Sequence, residues 1–262
     1  MVARLSLSTF IEYTQSLEQD APTWINRLAD ITSGRVAPAV DSIAIGSARL
    51  VSAAVIFFDI RGFTQRTSSA QVDDLKGTLF MLNCVIPAMM RVLFRHEAYV
   101  EKNTGDGLMA ILGVGGDAHE VAQDALSACS EMMFVLHQIV NPFLTRNGIA
   151  PVDARIGVDM GQILLARIGM PRGTASHDRS SLTAVGPAAN IASKLQGLAG
   201  TNEIYCGDRL RQLSGWLDQA ALFYDMTPAN WSWVYVDTGG RYSAWKYVGR
   251  TLNPYSTILG RA

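Results

Sequence analysis

Three features of the 262-residue sequence predict an α+β fold of the ferredoxin-like βαββαβ pattern, with helices on one face of a sheet. Short apolar runs rich in β-branched and aromatic residues are typical of buried strands. Longer segments with apolar residues at helical spacing are typical of amphipathic helices. These patterns alternate in the order β-α-β-β-α-β, and a Gly-Asp-Gly turn joins the middle two strands into a predicted hairpin.

The N-terminal part of the chain predicts a helical extension rather than part of the sheet. Apolar residues recur at roughly helical spacing up to residue 34, where Ser33 and Gly34 end the pattern, and an extended connector follows. We therefore divide the chain into an extension at residues 1–49 and a main domain at residues 50–262. The apolar stripe of the extension requires a partner surface, either on its own domain or on a second chain.

The main domain is predicted to consist of strands and helices in close succession. The predicted elements are, in order, a strand at 53–58, a helix at 70–95 kinked by Pro87, hairpin strands at 98–103 and 108–112, a helix at 117–147, strands at 152–160 and 163–168 around Gly161, a helix at 188–198, a short strand at 204–206, and two aromatic strands at 231–236 and 242–248. The last two are joined by Gly239 and Gly240, which predicts a second hairpin.

An acidic residue, a glycine and a polar helix start follow the first core strand. Asp59 comes directly after the apolar run, and Gly62 and Thr64 precede the next helix. A carboxylate at a strand end can hold a cation, while backbone N–H groups of a helix start receive an anion. This stretch favours a site for metal and phosphate, although Asp59 acting only as a cap is equally compatible with it.

A second acid, Asp106, lies at the tip of the predicted hairpin. In a β-α-β-β unit the first strand and the hairpin are neighbours, so Asp59 and Asp106 are expected at one sheet edge. Two converging carboxylates are stabilised by a divalent cation such as Mg²⁺ or Mn²⁺. The alternative is that Asp106 is an ordinary Asp-Gly turn residue, but the pairing with Asp59 favours metal.

The predicted helix at 188–198 carries an amide and a cation on one face. Asn190 and Lys194 are four residues apart and therefore neighbours on the helix surface. Such a face can stabilise the transition state of phosphoryl transfer. Taken alone, the helix is better explained by a solvated lysine and an interior asparagine.

Composition gives no support to several classes of function. The chain is 48% hydrophobic and 17% charged with a net charge of −1, which gives no basis for binding nucleic acid or an anionic membrane. The sequence shows neither a signal peptide nor a sufficiently long apolar membrane span. Its three widely separated cysteines indicate reduced thiols, so we expect a cytoplasmic protein.

The stretches FFDIRGFT, NTGDGLMA and VGPAANIASKL, in this order, resemble the catalytic domain of class III nucleotidyl cyclases over about residues 50–250. The resemblance implies a class III cyclase sandwich that converts a nucleoside triphosphate to its 3′,5′-cyclic monophosphate and pyrophosphate. It also implies two divalent ions, Mn²⁺ or Mg²⁺, held by Asp59, Asp106 and the Ile60 carbonyl.

The same resemblance assigns roles to further residues. Backbone groups of Gly62, Phe63 and Thr64 would cradle the triphosphate, and Asn190 would orient the ribose. Lys194 stands where the family usually has an arginine that stabilises the reacting phosphorus. Candidate cations for the triphosphate are Arg172 and Arg241. The resemblance further implies a head-to-tail homodimer with two sites. Each site uses acids from one chain, and the base-binding residues, Asn190 and Lys194 from the other.

The base is predicted from two positions that the resemblance marks as base-binding, Lys102 and Thr183. This pair is of the adenine type, and the lysine disfavours GTP. However, Lys194, the Pro-Ala-Ala stretch before Asn190 and Asn103 after the lysine resemble cyclases of bacterial Pycsar anti-phage systems. Those enzymes make cyclic UMP or cyclic CMP, and a downstream effector senses the product. We therefore expect UTP, then CTP, with Tyr99 or the N-terminal helix filling the pocket. The alternatives are an adenylate cyclase and a catalytically degenerate regulatory domain.

Overall fold

The computed structural model describes residues 32–33, 43–69, 71–102, 105–170, 179–216 and 220–249. The predicted helix over the N-terminal extension lies outside these residues. Its predicted end does not, because Thr32 and Ser33 form a short strand beside Arg49 and Leu50 instead of a helix terminus.

The described part of the chain forms one mixed sheet of nine strands with helices packed against it, and the predicted α+β fold is confirmed. The strands are β1 (Thr32–Ser33), β2 (Ala48–Ile60), β3 (Tyr99–Lys102), β4 (Gly107–Leu112), β5 (Ala154–Met170), β6 (Arg179–Val185), β7 (Glu203–Gly207), β8 (Phe223–Asp225) and β9 (Ala244–Tyr247). The helices are α1 (Phe63–Arg66), α2 (Val72–Arg95), α3 (Ala118–Val135), a π-helical turn (Leu136–Val140), α4 (Asn141–Arg146), α5 (Pro187–Leu198), α6 (Asp208–Leu213) and a 3₁₀ turn (Ala220–Leu222).

The strand order is β3-β4-β2-β5-β7-β9-β8, which places β2 at the centre between the predicted hairpin and β5. β2 pairs antiparallel with both neighbours, whereas β5 and β7 run parallel. β6 pairs with the second half of β5. The core order β3-β4-β2-β5 is the one expected for a ferredoxin-like unit.

The two faces of β2 bury different layers, because successive side chains of a strand point to opposite sides. Ala54, Ile56 and Phe58 face a large cluster that includes α2 and α3. Val51, Ala53 and Val55, together with residues of β6 and α5, form a second cluster. The expectation that all helices lie on one face is therefore wrong, since α5 packs on the opposite face.

Two predicted breaks in the chain are also wrong. Gly161 does not separate two strands, because it pairs in register with Ala53 and β5 continues through it. The aromatic tail is not a hairpin of two full strands. The predicted turn at Gly239 and Gly240 does form, with a backbone hydrogen bond between Tyr235 and Gly240 and an isolated bridge between Val234 and Arg241. However, β9 begins beyond it and pairs with β7 and β8.

Helix α2 continues through Pro87 for 24 residues. By length and composition it is apolar enough to cross a membrane, so the expectation that the sequence contains no such stretch is wrong. One third of its most apolar 18-residue window is buried inside the domain. Its buried side chains, including Met81, Val85, Met89 and Leu93, pack against the sheet. The expectation of no membrane partner stays a prediction.

Candidate active site

Asp59 is held at the end of β2 between two neighbouring strands. It lies directly opposite Gly107 of β4 on one side and Arg155 of β5 on the other. Phe58 and Ile60, its neighbours in the chain, are buried, which fixes the strand and turns Asp59 to the other face. The side chain of Asp59 is one quarter exposed, so a cation from solvent can reach it.

Asp106 immediately precedes Gly107, the cross-strand partner of Asp59, so the hairpin tip brings the two acids together as predicted. Burial raises the pKa of Asp106 above its ordinary value, and the nearby charge of Asp59 acts in the same direction. A backbone hydrogen bond and the positive charge of Arg155 act against this rise. The two carboxylates therefore interact electrostatically at one edge of the sheet.

Arg155 is the residue of this cluster that the sequence interpretation missed. Its Nε and Nη2 atoms donate to Oδ2 of Asp59 at 2.9 Å and 2.8 Å. Its Nη1 donates to the carbonyl of Gly197 near the end of α5, at 3.4 Å. The signal available in the sequence was an arginine at the start of a predicted core strand, one residue before an apolar stretch.

The segment after β2 contains the residues predicted to cradle a triphosphate. Ile60 is buried and ends the strand, and Gly62 has a left-handed φ of +71° with open space where a side chain would begin. Phe63 begins the short helix α1 and packs partly on the core, whereas Thr64 is exposed. A glycine suits this turn, because other residues rarely adopt that backbone conformation.

Asn190 and Lys194 both lie on the exposed face of α5, as their spacing predicts. The opposite face of the helix is buried through Ala188, Ala192 and Leu195. The contacts described for α5 do not bring Asn190 or Lys194 against Asp59 or Asp106. Within one chain, the structure therefore pairs the two acids but does not join them to this amide and cation.

The two predicted base-binding positions lie on strands that approach each other. Lys102 ends β3, and its side chain is outside the described part of the structure. Thr183 is half-buried on β6, opposite Ala166 of β5. Leu182 of β6 packs in the same cluster as Tyr99 of β3, and the two strands are in contact.

The structure describes only one of the two arginines predicted to bind the triphosphate. Arg172 lies outside the described residues. Arg241 is exposed and donates to the carbonyl of Thr227 at 3.2 Å. Burial opposes a low pKa at Asp225, but hydrogen bonds from Thr227, and to a smaller extent the charge of Arg241, lower it. These contacts tie Arg241 to the C-terminal strands, and no described contact joins it to Asp59 or Asp106.

A groove of about 1100 Å³ opens beside the start of α5, but the two acids do not line it. Its walls include Pro187, Trp233 and Tyr235, and one wall holds Asp159. Asp159 is 1% exposed and accepts a hydrogen bond from the hydroxyl of Tyr242 at 2.7 Å. Burial raises the pKa of Asp159 to about 7, although this hydrogen bond lowers it.

The donor set at the sheet edge suits a hard divalent cation. Among the residues that the structure describes, no three His, Cys, Asp or Glu side chains cluster for a metal ion. Asp59 and Asp106 nevertheless supply two carboxylates, and Ile60 supplies a carbonyl. Mg²⁺ commonly uses one or two protein carboxylates and completes its shell with water and phosphate oxygens. The residues present therefore fit such an ion.

The fold defines an α+β sandwich protein in which two acidic residues, Asp59 and Asp106, lie together at the end of the central strands. Comparison with known proteins identifies its family. Residues 46–215 match the model of the adenylate and guanylate cyclase catalytic domain. The chain belongs to this family.

Individual relatives are distant. A terminal-differentiation specific adenylate cyclase of Dictyostelium discoideum is 27% identical over 184 residues, which cover 69% of this chain and 8% of that protein. A cytidylate cyclase of Escherichia coli is 26% identical over 168 residues, which cover 61% of this chain and 34% of that protein. This chain therefore matches only about a third or less of these relatives' length.

The fold is similar to that of the guanylyl cyclase Cya2, with a TM-score of 0.61 at 19% identity over 79% of this chain and 96% of that one. At this identity the likeness concerns the fold alone. The names of these three proteins include adenylate, cytidylate and guanylyl cyclases, so they do not select a base for this chain.

Proposed function

We propose that this protein is a nucleotidyl cyclase that converts a nucleoside triphosphate, UTP first and then CTP, to its 3′,5′-cyclic monophosphate and pyrophosphate. The observation that carries the proposal is the juxtaposition of Asp59 and Asp106 at one sheet edge, in a chain that belongs to the cyclase family. In the reaction, the ribose 3′-oxygen forms a bond to the α-phosphorus. The bond from that phosphorus to the departing pyrophosphate breaks, and the hydroxyl proton is released.

Two divalent ions, Mn²⁺ or Mg²⁺, would be held by Asp59, Asp106 and the Ile60 carbonyl. When bound, such ions acidify the attacking hydroxyl and neutralise charge on the triphosphate. The chain's own groups would do the positioning. Asn190 would orient the ribose, and Lys194 would place a positive charge at the reacting phosphorus. The backbone of residues 62–64, with Arg172 and Arg241, would hold the triphosphate.

A homodimer with shared sites is part of the proposal. Asn190 and Lys194 face outward from α5, and no described contact connects them to the acids of their own chain. A second chain can present this helix face to the acids of the first. Mixing inactive Asp59→Ala and inactive Asn190→Ala proteins is expected to restore about a quarter of wild-type turnover, because half of the dimers are mixed and each has one intact site. No restoration would contradict shared sites.

The pyrimidine preference is supported by the Pro-Ala-Ala start of α5, by Lys194 and by the distant similarity to a cytidylate cyclase. These features also support a role in bacterial antiviral defence, with the cyclic nucleotide sensed by a separate effector. A second candidate is an adenylate cyclase, favoured by the adenine-type pair of Lys102 and Thr183 on neighbouring strands. A degenerate regulatory domain is disfavoured by the presence of both acids.

The deciding experiment is to incubate the purified protein with Mn²⁺ and each of ATP, GTP, CTP and UTP, and to identify products by mass. Cyclic UMP or cyclic CMP supports the first candidate, and cyclic AMP supports the second. Asp59→Asn and Asp106→Asn are expected to abolish the product. Asp153→Asn is the matched control, because Asp153 is an exposed carboxylate nearby that bonds the side chain of Asn202 instead. Equal turnover in all three variants would refute the proposed site.

A further inference from the structure

The guanidinium of Arg155 donates hydrogen bonds to one carboxylate oxygen of Asp59 and not to the other. Both of its bonds to this carboxylate reach Oδ2, at 2.9 Å and 2.8 Å, so neither engages Oδ1. The side chains of Arg155 and Asp59 are 24% and 25% exposed. At this degree of burial, charges interact more strongly than they do at an open surface.

The position of Arg155 is fixed by more than this ion pair. The register of β2 and β5 places it directly across from Asp59. Its third nitrogen donor points to the Gly197 carbonyl near the C-terminal end of α5. Carbonyl groups at this end of a helix carry partial negative charge and favour a cation. Arg155 is therefore held at the acidic edge by the sheet and by α5.

Arg155 also changes the charge that a metal ion meets. Asp59 and Asp106 contribute one negative charge each, and Arg155 contributes one positive charge, so the three side chains sum to −1 instead of −2. The electrostatic influence of Arg155 reaches Asp106 as well as its direct partner. A free divalent cation is attracted less strongly to this edge than to a bare pair of carboxylates.

We propose that Arg155 is a positioning residue that occupies Oδ2 of Asp59 and weakens the binding of free divalent cations, so that the site fills with metal delivered together with the nucleoside triphosphate. This inference rests on the function proposed above. The anionic triphosphate restores the negative charge that Arg155 removes, and the free Oδ1 of Asp59 remains oriented for its cation.

The competing explanation is that Arg155 only stabilises the pairing of β2 and β5. The two explanations differ in the predicted affinity for Mn²⁺ without nucleotide. A structural ion pair predicts equal or weaker binding once it is removed, because Asp59 loses its orientation. Charge shielding predicts tighter binding.

The test is a titration of the full chain with Mn²⁺ alone, in which electron paramagnetic resonance measures the free ion. Arg155→Gln is expected to bind Mn²⁺ at least about tenfold more tightly than wild type, since it removes a unit charge close to a divalent ion. Arg155→Lys keeps the charge and is expected to stay within about threefold of wild type. Arg167→Gln is the matched control, because Arg167 lies on the same strand and its bonds within the described residues are to neutral groups of Ser180 and Ile43.

Each outcome discriminates between the explanations. Unchanged or weaker binding in Arg155→Gln, or an equal gain in Arg167→Gln or Arg155→Lys, overturns the inference. If Arg155→Gln does not unfold cooperatively, Arg155→Met provides the neutral variant under the same criterion. Asp59→Asn separates this inference from the proposed function. If Asp59→Asn binds Mn²⁺ as well as wild type, the metal site itself fails. If Asp59→Asn loses binding while Arg155→Gln shows no gain in affinity, the site holds and the role of Arg155 fails.

Discussion

At Gly157 of β5 the backbone of helix α5 lies close against the sheet, and replacing this glycine with alanine is expected to displace that helix. A Cβ atom at Gly157 would lie 2.2 Å from the carbonyl oxygen of Ala192 and 2.2 Å from the backbone nitrogen of Gln196. Both are backbone atoms of α5, so no side-chain rotation relieves the overlap. Gly161, which lies farther along the same strand and on the same face, provides the matched control.

The size of the effect follows from these contacts. Bringing the 2.2 Å contacts out to an ordinary 3.4 Å requires α5 to retreat by about 1.2 Å. Overpacking typically costs about 1–3 kcal/mol, and we expect about 3 kcal/mol because helix backbone must move. A Cβ at Gly161 meets Ala188 at 3.5 Å and Arg209 at 3.6 Å, both normal contacts. Gly161→Ala is therefore expected to change stability by less than about 1 kcal/mol.

Urea unfolding of wild type, Gly157→Ala and Gly161→Ala measures both free energies of unfolding. Cyclase turnover of the folded Gly157→Ala protein is expected to fall about 100-fold, because a displacement of about 1 Å in a positioning helix is costly. Equal stability of the two variants would refute the packing argument. A destabilised Gly157→Ala protein with full turnover would refute the link between the position of α5 and the proposed chemistry.

Three further predictions concern other parts of the structure. Because burial raises the pKa of Asp159 to about 7 from 3.8, the folded protein binds an extra proton between these values. The free energy of unfolding should then fall by up to about 1.4 kcal/mol per pH unit as pH rises through this window. In urea unfolding from pH 4 to pH 7, Asp159→Asn should lack this pH dependence. Asn141 bonds both the N–H and the carbonyl of buried Val152, at 2.9 Å and 2.8 Å. Asn141→Ala should therefore cost about 2–4 kcal/mol, while Asn147→Ala at an exposed site should cost less than about 0.5 kcal/mol in the same denaturation assay. Lys194→Arg should raise turnover severalfold, because a forked donor suits phosphate better than an ammonium group; a fall in steady-state turnover would show a pocket built for lysine.

The acidic pair could be predicted from the sequence because each acid is fixed by local signals. An apolar run ending at Phe58 locates the strand end, and a Gly-Asp-Gly turn locates the hairpin tip. The βαββ order then makes these two elements neighbours, so Asp59 and Asp106 are brought together by topology alone. The common face of Asn190 and Lys194 likewise follows from helical spacing.

Features that depend on long-range packing could not be predicted in this way. Gly161 has the appearance of a strand break, yet its backbone is paired on β5 like that of its neighbours. The Gly239-Gly240 pair correctly indicates a turn, but the strands that pair with β9 are β7 and β8 rather than the segment before that turn. The contact of Arg155 with Asp59 depends on the register of two strands separated by almost a hundred residues.

One face of β5 connects the separate parts of the candidate site. Arg155, Gly157 and Asp159 are two residues apart, so their side-chain directions are shared while the residues between them enter the main core. Arg155 forms an ion pair with Asp59, and Gly157 packs against the backbone of α5. Asp159 accepts a hydrogen bond from Tyr242, which lies next to β9. A shift of α5 at Gly157 therefore moves the Gly197 carbonyl that Arg155 contacts. If a second chain supplies Asn190 and Lys194, each α5 is tied through Arg155 to the acids of its own chain while its outer face serves the other site. Displacing α5 should then disturb both sites of the dimer.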